Sequence, residues 1–170
     1  MKSIKDFLRN DVEDISKLLS LALNKTQEQL YSNLDYQLVD TELSVLLSYI
    51  DQRKKGKPFA YIKGSKGFYD LDFNVSPATL IPRPETELIV DRVIGYLNSQ
   101  SDKDQAKSII DLGAGSGAIS IAIASEASIK GLKVSMVAVE KSPDAAQWLN
   151  KNIAKYDLPI RVVVEDVQSA

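Results

Sequence analysis

The segment Ile109-Ile110-Asp111-Leu112-Gly113-Ala114-Gly115-Ser116-Gly117 limits the fold more than any other part of this chain. Apolar residues run into a loop with glycine at every second position. An apolar helical stretch follows, carrying Ile119, Ile121, Ala122 and Ile123. Glycine there lets the backbone turn tightly and lets a ligand approach without a Cβ in the way. The pattern then recurs. Val134 to Val139 reads as a second strand, and Ser142-Pro143-Asp144 opens a helix that continues through Trp148, Leu149, Ile153 and Tyr156. Serine, proline and aspartate supply a capping oxygen, a preset φ and an acid at the positive helix end. Ile160 to Val164 reads as a third strand, closing on Glu165-Asp166. Strand, helix, strand, helix, strand predicts a parallel sheet with right-handed crossovers, with Ile109-Ile110 in a buried strand.

The first part of the chain has a different period. Ile4, Phe7, Leu8, Val12, Ile15, Leu18, Leu19 and Ala22 recur at spacings of three and four, which predicts one amphipathic helix stopped near Asn24. Thr26-Gln27-Glu28-Gln29 resembles a capping box for a second, shorter helix. Asp40 starts a third, with Leu43, Leu46, Leu47 and Ile50 expected inward. Arg53, Lys54 and Lys55 suit its last turn and read as a solvated helix end, and Gly56 and Pro58 end it. Residues 61–75 predict a β-hairpin, with Gly64 and Gly67 flanking a turn. Pro77, Pro82 and Pro84 then forbid regular structure until a helix opens at Pro84 and runs through Leu88, Ile89, Val93, Ile94 and Leu97.

Two zero counts narrow the chemistry. With no Cys there is no thiolate nucleophile, disulfide or sulfur-ligated metal, and with no His there is no imidazole triad or imidazole metal site. What remains is chemistry by carboxylates, amides, backbone groups or a bound cofactor, and no metal is expected. Net charge is -2, from 21 Lys+Arg against 23 Asp+Glu, which does not suggest a protein that coats nucleic acid. No apolar run approaches the roughly 20 residues needed to span a bilayer, so a cytoplasmic protein without membrane association is the simplest expectation.

Two cofactor classes fit the glycine loop. Gly113-Ala114-Gly115-Ser116-Gly117-Ala118 matches the dinucleotide fingerprint. Asp111 opposes that reading, because a carboxylate two residues before the first glycine would repel a pyrophosphate. S-adenosylmethionine carries an ammonium, a sulfonium and a ribose, but no phosphate, and suits the acid better. Glu140, at the end of the next strand, can accept both ribose hydroxyls. Asp166, ending the third strand, is a candidate acceptor for the adenine amino group.

At this point the chain resembles a known family. Ile109 to Ile119 is similar to the first motif of class I S-adenosylmethionine-dependent methyltransferases. The upstream Phe73-Asn74-Val75-Ser76-Pro77-Ala78-Thr79-Leu80-Ile81-Pro82-Arg83-Pro84-Glu85-Thr86-Glu87 resembles the signature of the HemK/PrmC family, the release factor glutamine methyltransferases. Gly56-Lys57-Pro58-Phe59-Ala60-Tyr61 after a helical domain fits the same family. The resemblance implies methylation of the side-chain amide of the Gln in the Gly-Gly-Gln motif of class I peptide-chain release factors. It implies an α/β architecture: a small N-terminal helical bundle (1–60) that helps hold the protein substrate, a β-hairpin linker (61–75), and then the first half of a Rossmann-like methyltransferase domain (76–170). By motif match, Asp111, Gly113, Ala114, Gly115, Ser116, Gly117, Glu140, Asp166 and Val167 would surround the cofactor. Phe73, Pro82, Arg83 and Glu85 match the segment that lies over the substrate.

One departure matters. The family's catalytic Asn-Pro-Pro-Tyr is absent, and the one proline after Pro143 is Pro159. The motif is expected beyond Ala170, so no catalytic residue is assigned and the chain is expected to catalyse little alone, as a fragment of a longer protein. The alternative is a non-catalytic docking piece that binds a protein partner through its helices. The strand at Ile109-Ile110 would be left as an open apolar edge, which implies self-association.

Overall fold

The computed structural model describes residues 2–100 and 105–168. The chain divides into two compact units, Met1–Lys63 and Gly64–Ala170.

The first unit is helical: α1 (Ile4–Leu8), α2 (Ile15–Leu23), α3 (Gln27–Tyr31), α4 (Asp40–Lys54) and α5 (Phe59–Lys63). The single helix expected over residues 4–22 is in fact two. Asn10 ends α1 by donating its side-chain amide to the carbonyls of Asp6 and Phe7, at 3.1 and 3.2 Å. Asp14 then turns the chain in the left-handed region, at φ 61°. Local polar side chains compete with the helix ladder here, as Asn and Asp do. Both sides of the break still deliver Ile4, Phe7, Leu18 and Leu19 to one core, with Leu30, Leu38 and Leu46. Each such fully buried aliphatic side chain contributes roughly 1.5–3 kcal/mol. The cap at Thr26 forms as its sequence implies, with Oγ1 accepting from the Gln29 amide at 3.3 Å.

Two expectations about α4 need correction. Leu47 faces solvent, 49% exposed, because only Leu46 and Ile50 fall on the buried stripe. Arg53 is not a solvated end: its side chain is 14% exposed and pairs with Glu13 and with Asp14, the latter at 3.1 Å. That pairing ties α4 to the break between α1 and α2.

The second unit begins with a hairpin, β1 (Ser65–Phe68) and β2 (Leu71–Asn74). Its turn is Tyr69-Asp70, both at positive φ (49° and 60°), and not at the flanking glycines. A two-residue turn of that hand matches the twist of the strands it joins. Residues 61–63 belong to α5. The hairpin is more than a linker, since Phe68 and Phe73 are buried in the second unit's core. Their rings meet edge to face at 6.1 Å, and Phe73 also meets Tyr156 at 5.9 Å.

After a 3-10 turn at Pro84–Thr86 come α6 (Glu87–Ser99), β3 (Lys107–Leu112), α7 (Ala118–Ile129), β4 (Val134–Glu140), α8 (Pro143–Tyr156) and β5 (Ile160–Val164). The three strands form a parallel sheet in the order β3-β4-β5. Ile109 pairs in register with Met136, which pairs with Ile160. That face packs with α6 and α7 around Val90, Ile94, Ile121 and Ile123. The expectation of a buried strand holds for this face only. Side chains alternate along a strand, so Ile110 and Leu112 point the other way and are each 62% exposed. Among the described residues β3 pairs with β4 alone, and its second edge is open.

Candidate cofactor site

The glycine loop leaves the end of β3 and enters α7. Gly113, Gly115 and Gly117 all have positive φ, at 77°, 56° and 81°. For two of them the reason is conformational: a Cβ on Gly113 would meet nothing within 4 Å, and one on Gly115 would only graze the Gly113 carbonyl. Gly117 is different. A Cβ there would lie 2.5 Å from Leu149 and 3.0 Å from Ile121, so this glycine also lets α7 pack against α8.

Two carboxylates hold the loop. Glu140, at the end of β4, accepts the Gly115 amide at 2.8 Å through Oε2 and the Ser142 amide at 2.9 Å through Oε1. One acid thus fixes both the glycine loop and the entry into α8. Each carboxylate oxygen has a second acceptor position, so the ribose-binding capacity expected of Glu140 survives these bonds. Asp111 accepts the hydroxyl of Ser120, on the first turn of α7. That bond braces the strand end against the helix that follows it.

Asp166 is committed differently. It pairs with Lys141 at 2.7 Å and accepts the Gln168 amide at 3.1 Å. The Lys141 hydrogen bond, and then that amide, hold its carboxyl below the usual range. Val167 beside it is 48% exposed.

The proline segment comes back onto the glycine loop. A cleft of about 110 Å³ is lined by Gly113, Ala114, Gly115 and Ser116 on one side and Leu80, Pro82, Arg83 and Thr86 on the other. Pro82 is buried and Arg83 is exposed. Glu85 is exposed on the 3-10 turn and does not line the cleft. Phe73 must be removed from the substrate side. It is 0% exposed, and strand alternation in β2 turns it into the core. The sequence reading gave Ser142 only as a helix cap and missed Ser120 and Phe68 as parts of the site. Ser120 and Ser142 lie three residues past Gly117 and two past Glu140, where a first helical turn or a cap folds back onto the loop. Phe68 carried no local signal.

The arrangement suits a ligand with cationic groups and a ribose. The loop contributes backbone and open space, its anchors are acids, and among the described residues Arg83 is the one cation lining the cleft. A parallel β-α-β-α-β unit with an acid before the glycine loop and another ending the next strand is what the resemblance to class I, S-adenosylmethionine-dependent methyltransferases implies for the first half of such a domain.

Comparison with known proteins names the family. Residues 5–64 match the model of the PrmC N-terminal domain, and residues 89–170 match that of the methyltransferase small domain. The release factor glutamine methyltransferase of Clostridium acetobutylicum is 35% identical over 155 residues, 91% of this chain and 52% of its own. That of Coxiella burnetii is 42% identical over 113 residues, 66% and 39% of the two chains. That of Escherichia coli is 38% identical over 116 residues, 68% and 39%. Among solved structures, human methyltransferase 10 domain containing protein aligns over 60% of this chain and 45% of its own, with a TM-score of 0.47 and 21% identity. Over most of its length the chain is thus similar to release factor glutamine methyltransferases, with a PrmC-type N-terminal domain followed by a methyltransferase domain. It spans between 39% and 52% of the length of the three relatives compared above.

Proposed function

We propose that this chain carries the S-adenosylmethionine-binding half and the partner-binding helices of an enzyme that methylates a release factor. The acceptor in this reading is the side-chain amide nitrogen of the Gln in the Gly-Gly-Gln motif of a class I peptide-chain release factor. The observation that carries the reading is the cleft where Pro82 and Arg83 face Gly113 to Ser116, beside a loop anchored by Glu140. The names of the relatives support the choice of partner.

In this reading the roles are those that the family resemblance implies. The backbone of Gly113 to Gly117 takes the methionine part of the cofactor, and Asp111 keeps that loop in place through Ser120. The free acceptor positions of Glu140 take the ribose hydroxyls, and Asp166 with Val167 borders the adenine. Pro82 and Arg83 stand toward the substrate, and Glu85 belongs to the same segment without lining the cleft. When bound, the cofactor supplies an electrophilic methyl group on a sulfonium. A Gln amide is a weak nucleophile, so positioning must contribute much of the rate. The first unit docks the protein partner, and the cytoplasm is the setting for this work.

Calorimetry with S-adenosylmethionine, wild type against Gly115→Arg, tests the cofactor site; equal affinity would refute the loop assignment. A second reading is a docking piece that binds the partner without turnover. Incubation with a release factor and radiolabelled cofactor separates the two. Binding without transfer supports docking, and transfer by this chain alone refutes it.

A further inference from the structure

Asn152 is 0% exposed and sits on α8, and no role was assigned to it above. Its side chain makes four hydrogen bonds. Oδ1 accepts the Asn74 backbone amide at 2.8 Å and the Asn74 side-chain amide at 3.0 Å. Nδ2 donates to the Asn74 carbonyl at 3.0 Å and to the Ser116 carbonyl at 2.8 Å. Two donors and two acceptor positions are all that a carboxamide has, and here each is used. An unpaired buried amide is costly, so a fully satisfied one holds its partners in one arrangement.

The partners are the notable part. Ser116 belongs to the glycine loop, and Asn74 is the last residue of β2, where the chain leaves the hairpin for the proline segment. Tyr156, one turn further along α8, repeats the connection at the other end of β2. Its hydroxyl exchanges hydrogen bonds with the Asp72 amide and carbonyl, both at 2.8 Å. The hairpin side of the cleft and the loop side are thus hung from one helix, and Asn152 alone of these two residues touches both.

We propose that Asn152 is a positioning residue that couples the glycine loop to the hairpin, so that filling the loop orders the strand leading into the proline segment. The ligand-bound half of this inference rests on the S-adenosylmethionine reading above; the coupling itself does not.

Hydrogen exchange on the whole chain tests it, in wild type, Asn152→Ala and the near-isosteric Asn152→Asp. In the ligand-free protein, Asn152→Ala is expected to speed exchange in both 72–75 and 113–117, by tenfold or more, while β4 is unchanged. Asn152→Asp keeps the acceptor for the Asn74 amide but loses both donors, so the loop is expected to loosen more than the hairpin. Acceleration of one segment alone in Asn152→Ala, or of β4 equally with both, would overturn the coupling. Should Asn152→Ala not fold, the Asp variant decides on the same two segments. With S-adenosylhomocysteine added, wild type is expected to slow exchange in 72–75 and the Ala variant is not. Slowing that persists in Asn152→Ala overturns the proposal. Failure of wild type to bind the probe refutes the cofactor reading instead, and the ligand-free comparison still decides the coupling.

Discussion

The carboxylate of Glu140 holds the backbone amide of Gly115 at 2.8 Å, joining the end of one strand to the loop that leaves its neighbour. Its other oxygen holds the Ser142 amide. Glu140→Gln keeps one acceptor oxygen and loses both the charge and the second bond. Hydrogen bonds to charged groups are worth about 1.5–3 kcal/mol. A loss of that size in urea unfolding is expected, with weaker binding of S-adenosylmethionine by calorimetry. Unchanged stability and affinity would mean that the loop keeps its shape without this anchor.

The three glycines of the loop are not equivalent. Gly117→Ala combines a strained φ with a Cβ contact at 2.5 Å to Leu149. Left-handed strain costs roughly 1–2 kcal/mol and overpacking typically ~1–3 kcal/mol. Gly113→Ala meets no neighbour, so only the first cost applies. Denaturant midpoints should therefore fall clearly further for Gly117→Ala than for Gly113→Ala.

Asp14 has its carboxyl held below the ordinary value of 3.8, chiefly by the Lys17 hydrogen bond, with burial opposing and Arg53 helping. A depressed folded value stabilises above the unfolded value and is lost as pH falls through the folded one. The first unit should thus lose stability below about pH 4. Carbon-detected NMR titration of Lys17→Met should show the Asp14 midpoint moving up, with acid unfolding beginning at higher pH.

Tyr69 is pushed up to about 12, first by burial and then by its hydrogen bond to Asp91 at 2.8 Å. Its neutral form is favoured in the folded state, so this contribution is complete below the unfolded value near 10 and is lost as pH rises through the folded one. Besides Tyr36, which its hydrogen bond to Glu42 also shifts up, tyrosinate absorbance should show a late-titrating Tyr69 in wild type. In Asp91→Asn that residue should titrate earlier.

The open edge of β3 carries Ile110 and Leu112, each 62% exposed. Unpaired edges template pairing with other chains. Light scattering of the isolated chain is expected to show concentration-dependent association, reduced in Ile110→Lys. A monodisperse wild type at all concentrations would sink this expectation.

Much of the second unit was legible because its signals are local. Ser142-Pro143-Asp144 announces α8, the glycines announce the turn into α7, and the alternation of strand and helix leaves few topologies. The break between α1 and α2 was harder to read. The apolar spacing crosses it without interruption, and only the side-chain choices of Asn10 and Asp14 open it. By motif match Phe73 is a substrate-side candidate, with hairpin packing as its alternative, and the β2 register, which sends it inward, decides for packing.

The sequence by itself determined the parallel strand-helix unit, the glycine loop and the acids that flank it, since period, glycine spacing and capping residues act within a few positions of one another. Only the tertiary structure decided which acid holds which amide and which glycine is there for packing. It also brought Asn152 to both Asn74 and Ser116, 78 and 36 residues away. Contacts over such separations depend on how a whole helix seats against a sheet and a hairpin, and no local pattern encodes that.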